Sequence, residues 1–180
     1  MSPMRSWSHP SGRLGQQFPN KSNAAFSLIE LMVAVTILSF LFLLAVPTYQ
    51  RLQRKAKTAA VISDLRVFAT AFQGHAHEAG TWPPEAAAGV VPTGMTPEEL
   101  KFDDWMRTTP MGGKYDWENK QVHAGITYSA AITIAGTAAA PLTVDLEQML
   151  DIDRAIDDGD LDNGIFRKGY ANQPLFIIEK

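Results

Sequence analysis

Apolar residues follow two different patterns along this chain, and the change falls at Pro47. From Leu31 to Val46 the sequence LMVAVTILSFLFLLAV is apolar at nearly every step, with no charge, proline or glycine in 16 residues. Extending the run back to Ala24 lengthens it and takes in Glu30. A helix that crosses a bilayer needs about 20 predominantly apolar residues. The pattern therefore predicts a short membrane span with an acid near its start. Past Pro47 the apolar residues thin to Leu52, Ala56, Ala59, Ile62, Leu65, Ala69, Phe72 and Ala76, at steps of three and four. Arg51, Arg54, Lys55, Lys57, Asp64 and Arg66 lie mostly between them. That spacing predicts an amphipathic continuation of the same helix, with one narrow stripe able to pack. Gly80 and the run Trp82-Pro83-Pro84 end it, because consecutive prolines cannot extend the hydrogen-bond ladder. A helix from Phe26 to about Ala79 would be roughly 80 Å long at 1.5 Å per residue.

The rest of the chain alternates faster. Residues 85–112 read as an irregular connection with a short helix near Pro97–Trp105. Lys114–Trp117 and Gly125–Ile134 have β-rich patterns, and Asn119-Lys120 between them is suited to a hairpin turn. Thr143–Ile156 predicts a helix with Val144, Leu146, Met149, Leu150, Ile152 and Ile156 among acids. A polar turn over Asp157–Gly164 leads to Ile165–Lys168, which can pair with a last strand at Pro174–Ile178. No internal repeat is visible. The elements describe an α+β chain with one helix far longer than the others.

Charge changes this picture at the N-terminus. Residues 1–23 are rich in Ser, Pro, Gly, Gln and Asn without apolar periodicity, and residues 1–29 carry Arg5, Arg13 and Lys21 but no acid. They read as a basic leader. Without them, 13 Lys and Arg face 19 Asp and Glu, so the body is mildly acidic and does not advertise nucleic-acid binding. The chain has no cysteine, which excludes disulfides and thiolate metal sites. Three basic residues precede the apolar run and four follow it at 51–57, so flanking charge leaves the topology open.

The junction Ala24-Ala25-Phe26-Ser27-Leu28-Ile29-Glu30-Leu31 resembles the signal of prepilins, the precursors of type IV pilins and type II secretion pseudopilins. In that family a small residue, normally Gly, precedes a Phe-Thr-Leu-Ile-Glu-like sequence. The resemblance implies that a prepilin peptidase cleaves after Ala25 and that the new Phe26 amine is N-methylated. Ala replaces the usual Gly before the cut. The long leader leaves Met4 as an alternative start. Phe26 then becomes mature residue 1, Glu30 residue 5 and Pro47 residue 22, where many members have a helix-kinking proline. The family pairs the Phe26-type amine of one subunit with the Glu30-type carboxylate of its neighbour. An acid inside a membrane helix costs a few kcal/mol and persists where a partner charge neutralises it. The simpler alternative is an ordinary signal anchor with Glu30 snorkelling to the interface, which does not require Glu30 and Pro47 to lie in register. Pro47 also has a plain reading, as the boundary of a membrane helix. Pro110-Met111-Gly112-Gly113-Lys114-Tyr115-Asp116-Trp117 resembles the turn that enters the pseudopilin sheet.

Other chemistry is sparse. Asp158, Asp160 and Asp162 alternate as in an EF-hand, but Gly falls one place late and the twelfth loop position is Gly169, not Glu. A standard EF-hand is excluded. A looser calcium loop and a solvated acidic turn both stay open, and some major pseudopilins hold calcium in a C-terminal loop. His75 and His77 are two apart, the wrong spacing to share a metal on one helix face. His123 has no partner motif, and Gly112-Gly113-Lys114 lacks the other parts of a P-loop. Trp82, Trp105 and Trp117 suit core or loop anchors better than a ligand cage.

The expectation is therefore a pilin-like α+β protein: a long N-terminal helix, membrane-spanning in its first half, packed on a small antiparallel sheet. Residues 1–25 form a leader, 26–47 a membrane and assembly helix, 48–80 its amphipathic continuation, and 81–180 a β-containing domain. It would be no enzyme but a filament subunit of a type II secretion pseudopilus or type IV pilus. Implied partners are further copies of itself, other pilin or pseudopilin subunits, the prepilin peptidase and an inner-membrane assembly platform, with the C-terminal domain in the periplasm. Alternatives are a minor initiating or DNA-uptake pseudopilin, and a membrane-anchored periplasmic binding protein or enzyme. The missing cysteine pair, common in major pilins, favours a pseudopilin.

Overall fold

The computed structural model describes residues 26–123 and 125–180, with the backbone alone for His123. The leader and Ala25 lie outside the described residues. The chain divides into two compact units, one ending at Leu43 and one running over Leu44–Lys180. The long helix α1 spans Leu28–Ala79, 52 residues, and contains Pro47.

In the first unit every described residue, Phe26 through Leu43, is exposed. The helix α1 is long enough, and apolar enough near its N-terminus, to cross a membrane. Two hydroxyls are satisfied within the helix: Thr36 Oγ1 donates to the Met32 carbonyl at 2.7 Å and Ser39 Oγ to that of Val35 at 2.8 Å. Back-bonding to the preceding turn satisfies these two hydroxyls without water, which suits an apolar surrounding.

The second unit holds the core. From α1 it buries Thr58, Val61, Leu65, Phe68, Ala69 and Phe72. This corrects the expected stripe: Leu65, Ala69 and Phe72 are buried, whereas Leu52, Ala56 and Ala59 are exposed. The larger Val61 and Phe68 set the packed face, because they remove more apolar area from water than alanines do. Gly80, at φ +73°, takes the left-handed turn that ends the helix.

Four antiparallel strands form one sheet in the order β1-β2-β4-β3. They are β1 (Lys114–His123), β2 (Ile126–Ala135), β3 (Phe166–Lys168) and β4 (Pro174–Glu179). The expected pairing of the last two strands holds, with Phe166 opposite Phe176. The expected turn at Asn119-Lys120 does not. Lys120 has the positive φ of a turn residue, +55°, yet the strand runs on to His123. Two contacts hold it extended: the Asn119 N–H donates to Glu85 at 2.9 Å, and Asn119 Nδ2 donates to the Pro83 carbonyl at 2.8 Å. The two strands close up at His123 opposite Ile126, with Gly125 at φ +79°.

The short helix α2 covers Phe102–Met106, narrower than expected, and α3 covers Leu146–Ile156. Asp145 starts α3 as its N-cap, accepting from the N–H groups of Glu147 and Gln148 at 3.1 and 3.2 Å. The core is aromatic. Phe72 stacks on Trp117 at 3.8 Å between centroids, and Phe68 meets Trp105 and Tyr115 edge-on. Trp105 and Trp117 are fully buried and donate to the carbonyls of Val90 and Pro83. These are anchors for the loop over residues 83–90. The turn into β1 needs glycine: a Cβ on Gly112, at φ +83°, would meet the Pro141 carbonyl oxygen at 2.5 Å.

Candidate functional site

Two places carry chemistry, one in each unit. In the first unit, Phe26 is 75% exposed just ahead of α1, and Glu30 is the acid of the first helical turn. The Leu31 N–H bonds back to the Ser27 carbonyl at 3.2 Å, so helical geometry already holds at this end. A carboxylate near a helix N-terminus is favoured by the helix dipole, while the apolar residues around it supply no charge. No basic residue lies between Phe26 and Gln50 to face Glu30 along the helix. Pro47, in the second unit, sits inside α1, which is continuous through it.

The acidic site of the second unit lies at the C-terminal end of α3. Met149, Ile152, Asp153 and Ile156 follow the i, i+3, i+4, i+7 spacing of one helix face. That face packs into the core, so Asp153 is carried in with it and is 0% exposed. Among the described residues no side chain hydrogen-bonds its carboxylate. Burial raises its pKa, and the nearby charges of Asp158 and Asp157 add to the effect, while a hydrogen bond from the Gly159 backbone acts to lower it. One carboxylate oxygen each of Asp153, Asp157 and Asp158 lie within 4.8 Å of one another.

The three aspartates singled out by their alternation are thus only partly brought together. Asp158 joins the cluster with Asp153 and Asp157. Asp160 accepts from the Asp162 N–H at 3.1 Å and from Asn163 Nδ2 at 2.6 Å, and these bonds hold its pKa below the usual carboxylate range. Asp162 pairs with Lys168 at 2.8 Å. Asp153 was legible in the sequence as an acid set within an apolar helical stripe, and alternation in the loop drew attention away from it.

Other titratable groups serve the architecture. Tyr115 donates to Asp64 at 2.6 Å, and Arg107 pairs with the same carboxylate, tying α1 to β1 and to the residue after α2. His75 Nδ1 lies 2.8 Å from Glu99, whose pKa is lowered by that bond.

Residues 20–46 match the family model of the prokaryotic N-terminal methylation motif. No curated protein matches the chain. A solved structure, the major type IV pilin PilA1 from Clostridium difficile, aligns over 71% of this chain and 97% of that one, with 20% identity and a TM-score of 0.43. A likeness of that size carries no argument. The matched motif covers Phe26 and Glu30, and a helix-on-sheet domain follows it in the sequence.

Proposed function

We propose that this chain is a structural subunit of a type II secretion pseudopilus or a type IV pilus-like filament. It would be stored in the bacterial inner membrane as a single-pass precursor with its C-terminal domain, residues 81–180, in the periplasm. A prepilin peptidase removes residues 1–25, and the Phe26 amine is methylated. An inner-membrane platform then feeds the subunit into a filament of its own copies and related subunits. The membrane half of α1 exchanges lipid burial for protein burial, and the Glu30 carboxylate meets the Phe26 amine of a neighbour. The absence of cysteine favours the pseudopilus of the two.

The observation that carries this reading is the match of residues 20–46, a stretch that includes Phe26 and Glu30, to the methylation motif. An ordinary signal anchor explains the apolar run but not that match. Intact-mass measurement and N-terminal sequencing of the native protein test it. The expected product has 155 residues, 180 less the 25 of the leader, and begins with N-methylated Phe26. A product cut within the apolar run, or an uncut chain in the presence of the peptidase, would overturn the proposal.

A further inference from the structure

We propose that the groove between α1 and α3, beside Arg51 and Lys55, holds the headgroup of an anionic membrane phospholipid. The inference rests on the membrane reading of the apolar run in the proposed function, but on neither cleavage nor filament assembly. Four observations carry it. The first is where charge begins. After Glu30 the next 20 residues, 31–50, carry no charge, and then Arg51, Arg54, Lys55 and Lys57 fall within seven residues. A run of that length is what a bilayer span needs, so the cations come at headgroup depth. Tyr49, 62% exposed, is a residue type that settles at the same level.

The second observation is which cations are committed. Arg54 is held by Asp145 at 3.5 Å and by Glu147, the acids at the start of α3. Among the described residues no ion pair engages Arg51, Lys55 or Lys57, and all three are exposed. The third is shape. Arg51 and Lys55 are four residues apart and therefore share one helix face. With Thr48 and Leu52 they line a hollow that Asp151 of α3 closes on the far side. Lys55 and Asp151 also line the next hollow along α1, beside Thr58 and Ala59. A phosphate between Arg51 and Lys55 thus has room beyond it for the headgroup's terminal alcohol, with Asp151 as an acceptor. The fourth is sign. Two uncommitted cations face one acid, which itself pairs with Arg154 at 3.7 Å, so the groove is net positive. A phosphodiester with no balancing ammonium matches that charge, and a guanidinium binds phosphate oxygens with two parallel donors.

The test uses the full chain in neutral detergent micelles. It is titrated with phosphatidylglycerol, phosphatidylethanolamine, phosphatidylcholine and inorganic phosphate, and bound molecules are counted by native mass spectrometry. Phosphatidylglycerol should bind at about one molecule per chain and about tenfold tighter than either zwitterionic lipid. Raising salt from about 0.05 to 0.5 M should weaken it, because the site is solvent-facing. Arg51→Gln with Lys55→Gln should lose about 25-fold, roughly fivefold per cation. Lys101→Gln with Lys120→Gln removes the same charge from exposed positions outside the groove, and should stay within about twofold of wild type. Equal affinity for the three lipids overturns the proposal, as does an equal loss in the two double variants. Tighter binding of phosphatidylethanolamine assigns the groove to a zwitterionic headgroup instead, and inorganic phosphate binding as tightly as the lipid reduces it to a free-anion site. Reconstitution into phosphatidylcholine vesicles, read by resistance to alkaline carbonate, tests the membrane reading by itself. A chain that resists extraction yet selects no lipid overturns the groove alone, and one that is extracted overturns both.

Discussion

Phe72 and Glu118 lie on opposite sides of the question of what a side chain does in this core. Phe72 is 0% exposed and stacked on Trp117, so its removal leaves a cavity under the centre of the sheet. Phe72→Ala is expected to destabilise the domain by about 3–5 kcal/mol, read as a lower urea midpoint with an unchanged slope. Glu118 is an acid held where an uncharged group would be more comfortable. Burial pushes its pKa up to about 7, and the Asp116 and Glu85 charges add to the shift; Asp116 is pushed up to about 6 by burial and then by Glu85. Both folded-state values lie above those of the unfolded chain. These carboxyls therefore favour folding while protonated and oppose it once ionised. Their contribution is fully present below about pH 4 and is lost as pH rises through 6 and 7. The urea midpoint should fall between about pH 5 and 7.5, and Glu118→Gln should flatten that fall. A variant whose midpoint tracks wild type across the window would show that Glu118 is not the group responsible. Residue-scale facts of this kind were poorly legible in the sequence, since a strand acid reads as solvated until the chain that covers it is known. Asp153 is the exception, betrayed by its place in an apolar stripe.

At the scale of elements, boundaries were legible wherever the backbone itself dictates them. Gly80 ends α1 because glycine alone takes a φ of +73° without cost, and the two prolines beyond it forbid a restart. The paired last strands followed from alternation on either side of a polar turn. Elements governed by distant contacts were not legible. Asn119-Lys120 has turn chemistry, but hydrogen bonds from Asn119 to Glu85 and Pro83, residues 34 and 36 positions away, keep β1 extended. The packed face of α1 was misphased for the same reason: small alanines matched the period, while the partner that selects Val61 and Phe68 is an aromatic cluster assembled from β1 and α2. The N-cap of α3 gives this scale its prediction. Asp145 caps two N–H groups and lies 3.5 Å from Arg54 of α1, so it both starts the helix and ties it down. Asp145→Ala should cost about 0.5–2 kcal/mol, most of it from the cap, because the Arg54 contact is solvent-exposed and worth little. Asp145→Asn, which keeps the capping oxygen and loses the charge, should recover most of that loss in the same urea titration. Equal losses in the two variants would transfer the weight to the ion pair.

For the whole molecule, the division of labour between the two units decides what can be read from sequence. The core unit buries its apolar residues against one another, so its details needed the fold. The N-terminal unit exposes nearly everything apolar it has, from Phe26 through Leu43, and so its pattern is already complete in the linear sequence. Surface of that kind marks contact with lipid or with protein, and the proposed function uses both in turn. Glu30 separates these two partners. In lipid it is a liability of about 2.5–3.5 kcal/mol on insertion scales, so Glu30→Leu should make the monomer enter the membrane more readily. A segment serving only as an anchor would then be improved. In the filament proposed above, an incoming Phe26 amine would be left without the carboxylate proposed to neutralise it, and removing one side of a buried charge pair costs roughly 3–5 kcal/mol. The two environments therefore predict opposite outcomes for one substitution. Glu30→Leu is expected to give a processed, stable, membrane-resident protein that is depleted from the sheared filament fraction and from subunit cross-links. Glu30→Asp keeps the charge on a side chain one methylene shorter and should assemble to an intermediate degree. Filament yield equal to wild type in Glu30→Leu would remove the carboxylate from the assembly mechanism and leave the apolar surface alone to hold subunits together.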